Sequence, residues 1–396
     1  MLNRLFTKYK FPFFVTCLTT LGSCFIISNL SLQQALASPY KQQIIDPDYS
    51  EYNQELWGKD LATANIVVTF TNKQKLRNFL NRYLEVMHHD FKAIDLNFID
   101  TSKITNFDYL FAGILETGFK CVTKNVNVDI SKWNTSAVTS MKYTFMCSTF
   151  NGDISKWDVS NVRDMSYLFY SNREFNGNLS NWNVSKVIKM TNTFNKASKF
   201  NGDLSRWNVA NVTDMSGMFW GATNFNSDLS RWDVSNVTSM KSMFSSTQYF
   251  NADLSRWNVS QVTDMSWMFA GAKVFNADLS KWDTGKVSNM EKMFSGARKF
   301  TSDLSQWNVS QVTNMSSMFA YAFDFNSDLS SWNVINVRNM ESMFKNARKF
   351  SSDLKNWNFN YQYTKTDSMF NNSNVKFSQV SSWQSKMNKE QFDKLW

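Results

Sequence analysis

The chain has 396 residues with only 12 glycines and 3 prolines, too few for flexible linkers or a collagen-like tract. Aromatic residues make up 16% of it, with 35 Phe and 15 Trp, more ring surface than a disordered chain carries. The net charge of +9 falls to +6 without residues 1–37, which hold Arg4, Lys8 and Lys10 and no acid; so small a surplus with no dense Lys/Arg cluster argues against a nucleic-acid partner.

Taken in chain order, residues 1–37 come first. A basic start, an apolar run from Phe11 to Ile27 and the small-x-small triplet Ala35-Leu36-Ala37 predict a secretory signal peptide cut before Ser38. Read as an uncleaved membrane anchor, the run is at the short end and carries Thr, Ser and Gly. A rival processing site is Leu21-Gly22-Ser23-Cys24, which resembles a lipobox and would make Cys24 a lipidated N-terminus. Phe25-Ile26-Ile27 continues the apolar run, which favours cleavage at Ala37, but both remain open. Either way the protein is expected to be exported, to the cell surface or the medium, and to touch a membrane only through such a lipid.

Residues 38–92 are expected to form an N-terminal cap region. Ile66–Thr71 reads as a strand and Lys73–Met87 as a helix. His88 and His89 follow it as neighbours, about 100° apart on a helix. That geometry suits solvated cap residues better than a shared metal site.

Residues 93–371 are organised by tryptophan. Trp133, Trp157, Trp182, Trp207, Trp232, Trp257, Trp282, Trp307, Trp332 and Trp357 are evenly spaced, except that the first step is shorter than the rest by a single position. Around each the text recurs as Asp-Leu-Ser-x-Trp-[Asp/Asn]-Val-Ser-x-Val-Thr-x-Met-x-x-Met-Phe-x-x-Ala-x-x-Phe-Asn, and a fixed period of this length marks a stacked array. Ile99–Phe111 aligns with Trp157–Phe169, with Ile99 in the Trp slot. The step from Ile99 to Trp133 is longer than the others, so nine residues are inserted near Gly113–Lys124.

Within one repeat, Trp207 and Val209 alternate with Arg206, Asn208 and Ala210, which predicts a short strand with its apolar side inward. Met215, Met218, Phe219 and Ala222 at i, i+3, i+4 and i+7 predict a helix of two to three turns, with Thr213 as its N-cap. Phe225 turns inward, and Asn226 and Asp228 carry the return. The expected fold class is α/β: a right-handed leucine-rich-repeat-like solenoid of about eleven strand–short helix turns, with a parallel inner sheet and terminal caps. No further Trp continues the period after Trp357, so residues 372–396 read as the C-terminal cap, with residues 379–396 helical and weakly amphipathic.

With cleavage at Ala37 only Cys121 and Cys147 remain, close to one repeat apart and so in neighbouring turns. A disulfide and two separately buried thiols are both open. Asp153, Asp203, Asp228, Asp253, Asp278, Asp303, Asp328 and Asp353 form a column before Leu-Ser or Ile-Ser, or Leu-Lys in the last repeat; turn capping explains it better than calcium.

The words Asn-x-Asp-[Leu/Ile]-Ser-x-Trp-[Asp/Asn]-Val-Ser-Asn-Val-Thr-x-Met-x-x-Met-Phe-x-x-Ala-x-x-Phe resemble the repeat of BspA-type leucine-rich-repeat bacterial surface proteins. The run Asp153-Ile154-Ser155-Lys156-Trp157-Asp158-Val159-Ser160-Asn161-Val162 is close to ideal. The resemblance covers about 95–371. It implies surface display, binding to host or matrix partners, and no catalytic residue.

No phosphate-binding glycine loop, nucleophile elbow or zinc motif is present, so no catalytic, cofactor-binding or metal residue and no cofactor is expected. The expected function is adhesion, or protein or glycan interaction. A passive structural or immune-decoy protein is the alternative, and an enzyme with its site in the N-terminal region a third reading. Specificity should lie where the repeats vary. The residues before Trp, Arg206, Arg231, Arg256 and Lys281, run beside Asn208, Asp233, Asn258 and Asp283 after it. This stripe would meet a protein or an anionic glycan; a solvated, self-paired charge face is the plainer reading. Trp220 and Trp267, with Tyr167 and Tyr170, fill slots that are usually polar, as interface hot spots do.

Overall fold

The computed structural model describes residues 25–26, 42–46, 61, 66–87, 92–118 and 120–396. Cys24, His88, His89 and the proposed signal peptide apart from Phe25–Ile26 lie outside the described residues. In chain order the regular elements are β1 (Phe25–Ile26), β2 (Gln42–Ile45), β3 (Ile66–Thr69), α1 (Lys73–Met87), β4 (Ile94–Asp95), β5 (Ile99–Asp100), β6 (Ile114–Glu116), β7 (Lys120–Val122), β8 (Val128–Asp129), 3-10 turns at Phe377–Gln379 and Ser381–Trp383, and α2 (Lys389–Asp393). They fall into two compact units, residues 1–105 with 128–137, and residues 106–127 with 138–396.

In the first unit β1-β2-β3-β5 form a parallel sheet, and β4 pairs in parallel with β8. The expected strand and helix of the cap region are there as β3 and α1. Asn72 starts α1: its side-chain oxygen accepts the N–H groups of Gln74 at 2.7 Å and Lys75 at 3.3 Å. The helix buries Leu76, Phe79, Leu80, Tyr83 and Leu84, one face at helical spacing. Phe79 stacks on Tyr83 at 5.4 Å and meets Phe70 and Phe98 at its edges. Ile99 is buried in the Trp slot, and the Trp133 indole N–H donates to the Leu96 carbonyl at 2.9 Å.

In the second unit the repeats lie layer on layer. Single parallel bridges link Asn106, Ser140, Asp164, Lys189, Asp214, Ser239, Asp264, Asn289, Asn314, Asn339 and Lys365 in turn. In the layer 204–225, Leu204, Trp207, Val209, Val212, Met215, Met218, Phe219, Ala222 and Phe225 are all 3% exposed or less. Phe219 stacks on Phe225 of its own layer at 3.8 Å and on Phe244 of the next at 5.7 Å. The tryptophans form a parallel ladder, Trp232 to Trp257 at 6.4 Å. From Trp207 to Trp357 each indole N–H donates to the Leu carbonyl 28 residues earlier, as Trp232 does to Leu204 at 3.0 Å. This satisfies the one polar atom the ring buries.

The strand and short helix expected in each repeat are not what the backbone does. Trp207 ends a turn, its backbone N–H donating to the Leu204 carbonyl, and Val212 ends a second turn, donating to Val209. The extended bridging residue is Asp214, and the inner sheet shrinks to that one residue per layer. In place of a helix, residues 215–222 form consecutive four-residue turns. The N–H groups of Met218, Trp220 and Ala222 donate three residues back; those of Met215, Gly217, Phe219 and Gly221 donate to Ser239, Lys241, Met243 and Ser245 of the next layer. The turns need left-handed residues, and Gly217 (φ 62°) and Gly221 (φ 70°) supply them. At the same two places other layers use Tyr167 (φ 59°) and Ser171 (φ 53°), or Ser242 (φ 56°) and Ser246 (φ 59°). A left-handed residue every fourth position excludes an α-helix. It also frees half the N–H groups to hold the next layer, which a helix would keep for itself.

The array also runs one rung past its expected end. Trp383 is fully buried, stacks on Trp357 at 6.4 Å and donates its indole N–H to the Leu354 carbonyl at 3.2 Å. Its backbone N–H donates to Val380, as Trp207 does to Leu204. Val380-Ser381-Ser382-Trp383 therefore repeats Leu-Ser-x-Trp with Val for Leu, after a step longer than the usual one by a single position.

The nine-residue insertion is the antiparallel hairpin β6–β7. A disulfide joins its Cys121 to Cys147 in the next layer, with Cα atoms 5.5 Å apart. Ala112, Met146, Cys147 and Tyr170 form a small buried cluster there, with Leu115, Cys121, Tyr143 and Tyr167 packed against it.

Candidate interaction surfaces

Three exposed columns run along the second unit. The first flanks the tryptophans. Arg206, Arg231, Arg256 and Lys281 are exposed, as are Asn208, Asp233, Asn258 and Asp283. The latter four are not free acceptors: each side-chain oxygen takes the backbone N–H two residues on, at Ala210, Ser235, Ser260 and Gly285. They cap the turn that carries the Val after Trp. The aspartate column does the same for the turn that carries Trp. Asp203, Asp228, Asp253 and Asp278 accept the N–H groups of Ser205, Ser230, Ser255 and Ser280 at 2.8–2.9 Å.

These bonds set the electrostatics. The serine backbone N–H, first, and then the serine hydroxyl hold Asp203, Asp228, Asp253 and Asp278 below the ordinary carboxylate range; Arg206, Arg231, Arg256 and Lys281 add a smaller pull. Over these four layers six aspartates, Asp203, Asp228, Asp233, Asp253, Asp278 and Asp283, accompany four cations. The stripe is therefore not basic in sum.

The second column lies over the turn ribbon and is aromatic. Tyr109, Tyr143 and Tyr167 stack at 4.5 and 4.7 Å. Burial first, then the phenols of Tyr109 and Tyr167, push Tyr143 up to about 12. Farther along, the Lys196 ammonium lies over Tyr170 at 5.8 Å and Trp220 at 5.7 Å, and Lys292 lies over Trp267 at 3.9 Å. Trp220 is 42% exposed and Trp267 is half-buried, but Tyr170, expected as an exposed hot spot, is buried against the disulfide cluster. Sequence reasoning singled out Trp220, Trp267, Tyr167 and Tyr170 but missed Tyr109 and Tyr143; the signal was there, a Tyr in the second slot after Phe107 or Met141 in successive layers.

The third column covers the return segments, where an Asn ladder fixes the layers. Asn176, Asn201, Asn226 and Asn251 each accept, on the side chain, the backbone N–H of the residue 25 positions later, at 2.7–2.9 Å. Among the described residues no group of three or more His, Cys, Asp or Glu could hold a metal ion. No described helix is long and apolar enough to cross a membrane.

Recurring residues fill the core and cap the turns, while many of the residues that change from layer to layer are exposed. That division defines a stacked repeat protein. The chain belongs to the family described as Mycoplasma protein of unknown function, DUF285, which matches residues 78–207, 202–297 and 274–383. No curated protein and no solved structure matches the chain.

Proposed function

We propose that the chain is an exported interaction scaffold, a right-handed solenoid of the BspA-type leucine-rich-repeat kind, which binds protein or glycan partners of a host or matrix through its layer-variable columns. One observation carries this reading: residues free to vary gather in one column as the exposed or half-exposed Trp220, Trp267 and Tyr143, with Lys196, Lys292 and Lys142 held over their rings. Aromatic rings at such positions are enriched among residues that dominate binding energy, which favours a ligand over a passive coat. Export is supported by the basic, apolar and small-x-small sequence of residues 1–37. The mature chain is expected to be removed from intact cells by added protease and to bind host-surface or matrix components saturably. The double variant Trp220→Ala, Trp267→Ala should weaken that binding roughly tenfold or more without changing the melting temperature. A chain that stays inside the cell, or a double variant that binds as the parent does, would remove the support for this role.

A further inference from the structure

The return segments hold a charge cluster that the layering itself organises. Two layers read Ala297-Arg298-Lys299-Phe300 and Ala347-Arg348-Lys349-Phe350, and the layer between them reads Ala322-Phe323-Asp324-Phe325. The Arg298 guanidinium lies over the Phe323 ring at 5.4 Å and that of Arg348 at 4.7 Å. These arginines belong to the layers before and after Phe323, so the ring is clasped from both sides. Lys299 and Lys349 treat Asp324 in the same way, at 3.3 Å to one carboxylate oxygen and 2.6 Å to the other. Both lysines pull Asp324 below the ordinary carboxylate range, the bond to Lys349 most strongly. All four cations are exposed. Beneath them the core rings step by 5.9 Å from Phe300 to Phe325 and 5.7 Å from Phe325 to Phe350, which sets the two Arg-Lys pairs two steps apart.

We propose that this cluster is a binding site for a sulfated polysaccharide, with Arg298, Lys299, Arg348 and Lys349 as its sulfate-contacting residues. The inference rests on the interaction-scaffold reading and gives it a site and a partner class. Four cations, Arg298, Lys299, Arg348 and Lys349, accompany one carboxylate, and both oxygens of that carboxylate are already taken by lysines. The patch therefore keeps a surplus of positive charge that the Trp-flanking stripe lacks. Its cations are held in place before any ligand arrives, which lowers the ordering cost of binding. Guanidinium forks match the planar oxygen pairs of sulfate, and two pairs set two layers apart need a chain of anions and not a single small one. Tyr321, 47% exposed and edge-on to Phe323 at 6.5 Å, offers a ring face to sugar C–H groups. Both faces of Phe323 are covered by guanidinium, so it cannot stack a nucleic-acid base.

The test measures binding of the full chain to immobilised heparin at about 0.15 M salt, with desulfated heparin and single-stranded DNA as comparison probes. Heparin should bind and desulfated heparin should not. Changing Arg298, Lys299, Arg348 and Lys349 together to Gln should weaken heparin binding roughly tenfold or more. Asp324→Asn, which removes the cluster's carboxylate, should bind heparin as well as the parent or better, an outcome that a merely structural cluster would not give. Changing Arg206, Arg231 and Arg256 to Gln should leave heparin binding unchanged. Parent-like heparin binding by the quadruple variant overturns the assignment, as does weaker binding by a folded Asp324→Asn chain, or DNA binding as tight as heparin binding through the same residues. A parent that binds no heparin but does bind other host-surface components refutes this site and leaves the scaffold reading standing. A parent that binds neither refutes both.

Discussion

Trp257→Ala is expected to cost about 3–5 kcal/mol, the range for truncating a buried Trp. The ring sits mid-ladder, 6.4 Å from Trp232 and 6.5 Å from Trp282, and is tilted against Phe244 at 6.1 Å. The substitution opens a cavity and leaves the Leu229 carbonyl without the indole N–H that reaches it at 3.0 Å. In a stack whose stability is the sum of layers and their interfaces, a weakened middle interface uncouples the two sides. Thermal unfolding should therefore start lower and broaden or split, and limited proteolysis should open the chain near residue 257. Trp257→Phe keeps the ring but not the N–H and should cost about 1–3 kcal/mol, mostly for the orphaned carbonyl. A Trp257→Ala chain that melts like the parent would mean that the ladder does not bind the layers.

Replacing Cys121 and Cys147 by Ser should cost about 2–4 kcal/mol, as expected for opening a loop of this size. The disulfide links positions separated by 26 in sequence and ties the hairpin β6–β7 to the layer that follows it. A two-stranded hairpin is marginal by itself, so the loss should be local. Met146 and Tyr170, buried beside the disulfide, should become accessible, and residues 114–122 should become the first site of proteolytic nicking. Reducing the parent with a thiol should reproduce the effect. A hairpin as protease-resistant in the double variant as in the parent would show that packing alone holds it.

What could be read from the sequence was what each side chain does by being apolar or not. The period, the inward Trp, Met and Phe positions, the place of the nine-residue insertion and the first strand and helix all follow from hydrophobic spacing, whereas the hairpin form of the insertion does not. The backbone path between those positions did not. Met215, Met218, Phe219 and Ala222 have the spacing of a helix face, but consecutive four-residue turns bring the same positions to one side. What separates the two is a left-handed residue every fourth place. Glycine announces it at 217 and 221, yet Tyr109, Tyr167, Trp267 and Lys292 hold the same conformation with nothing in their chemistry to reveal it. Those residues are kept there by their neighbours in the stack. Trp383 was hidden by a slightly longer step and a Val in the Leu slot. The Arg-Lys pairs around Phe323 and Asp324 were hidden because their meaning lies across layers: a whole repeat of chain separates partners that touch.

The recurring Trp, Met and Phe residues lie between the layers, while aromatics such as Trp220, Tyr249, Tyr321 and Tyr363 face solvent. Hydroxyl-radical footprinting of the folded chain, read residue by residue by mass spectrometry, tests this arrangement most directly. Trp220, Tyr249, Tyr321 and Tyr363 should oxidise readily, being 42–69% exposed. Trp207, Trp232, Trp257, Trp282, Trp307 and Trp332 should be protected, together with the intrinsically reactive Met215, Met240 and Met265. Oxidation of those tryptophans and methionines at the rate of Trp220 would contradict it.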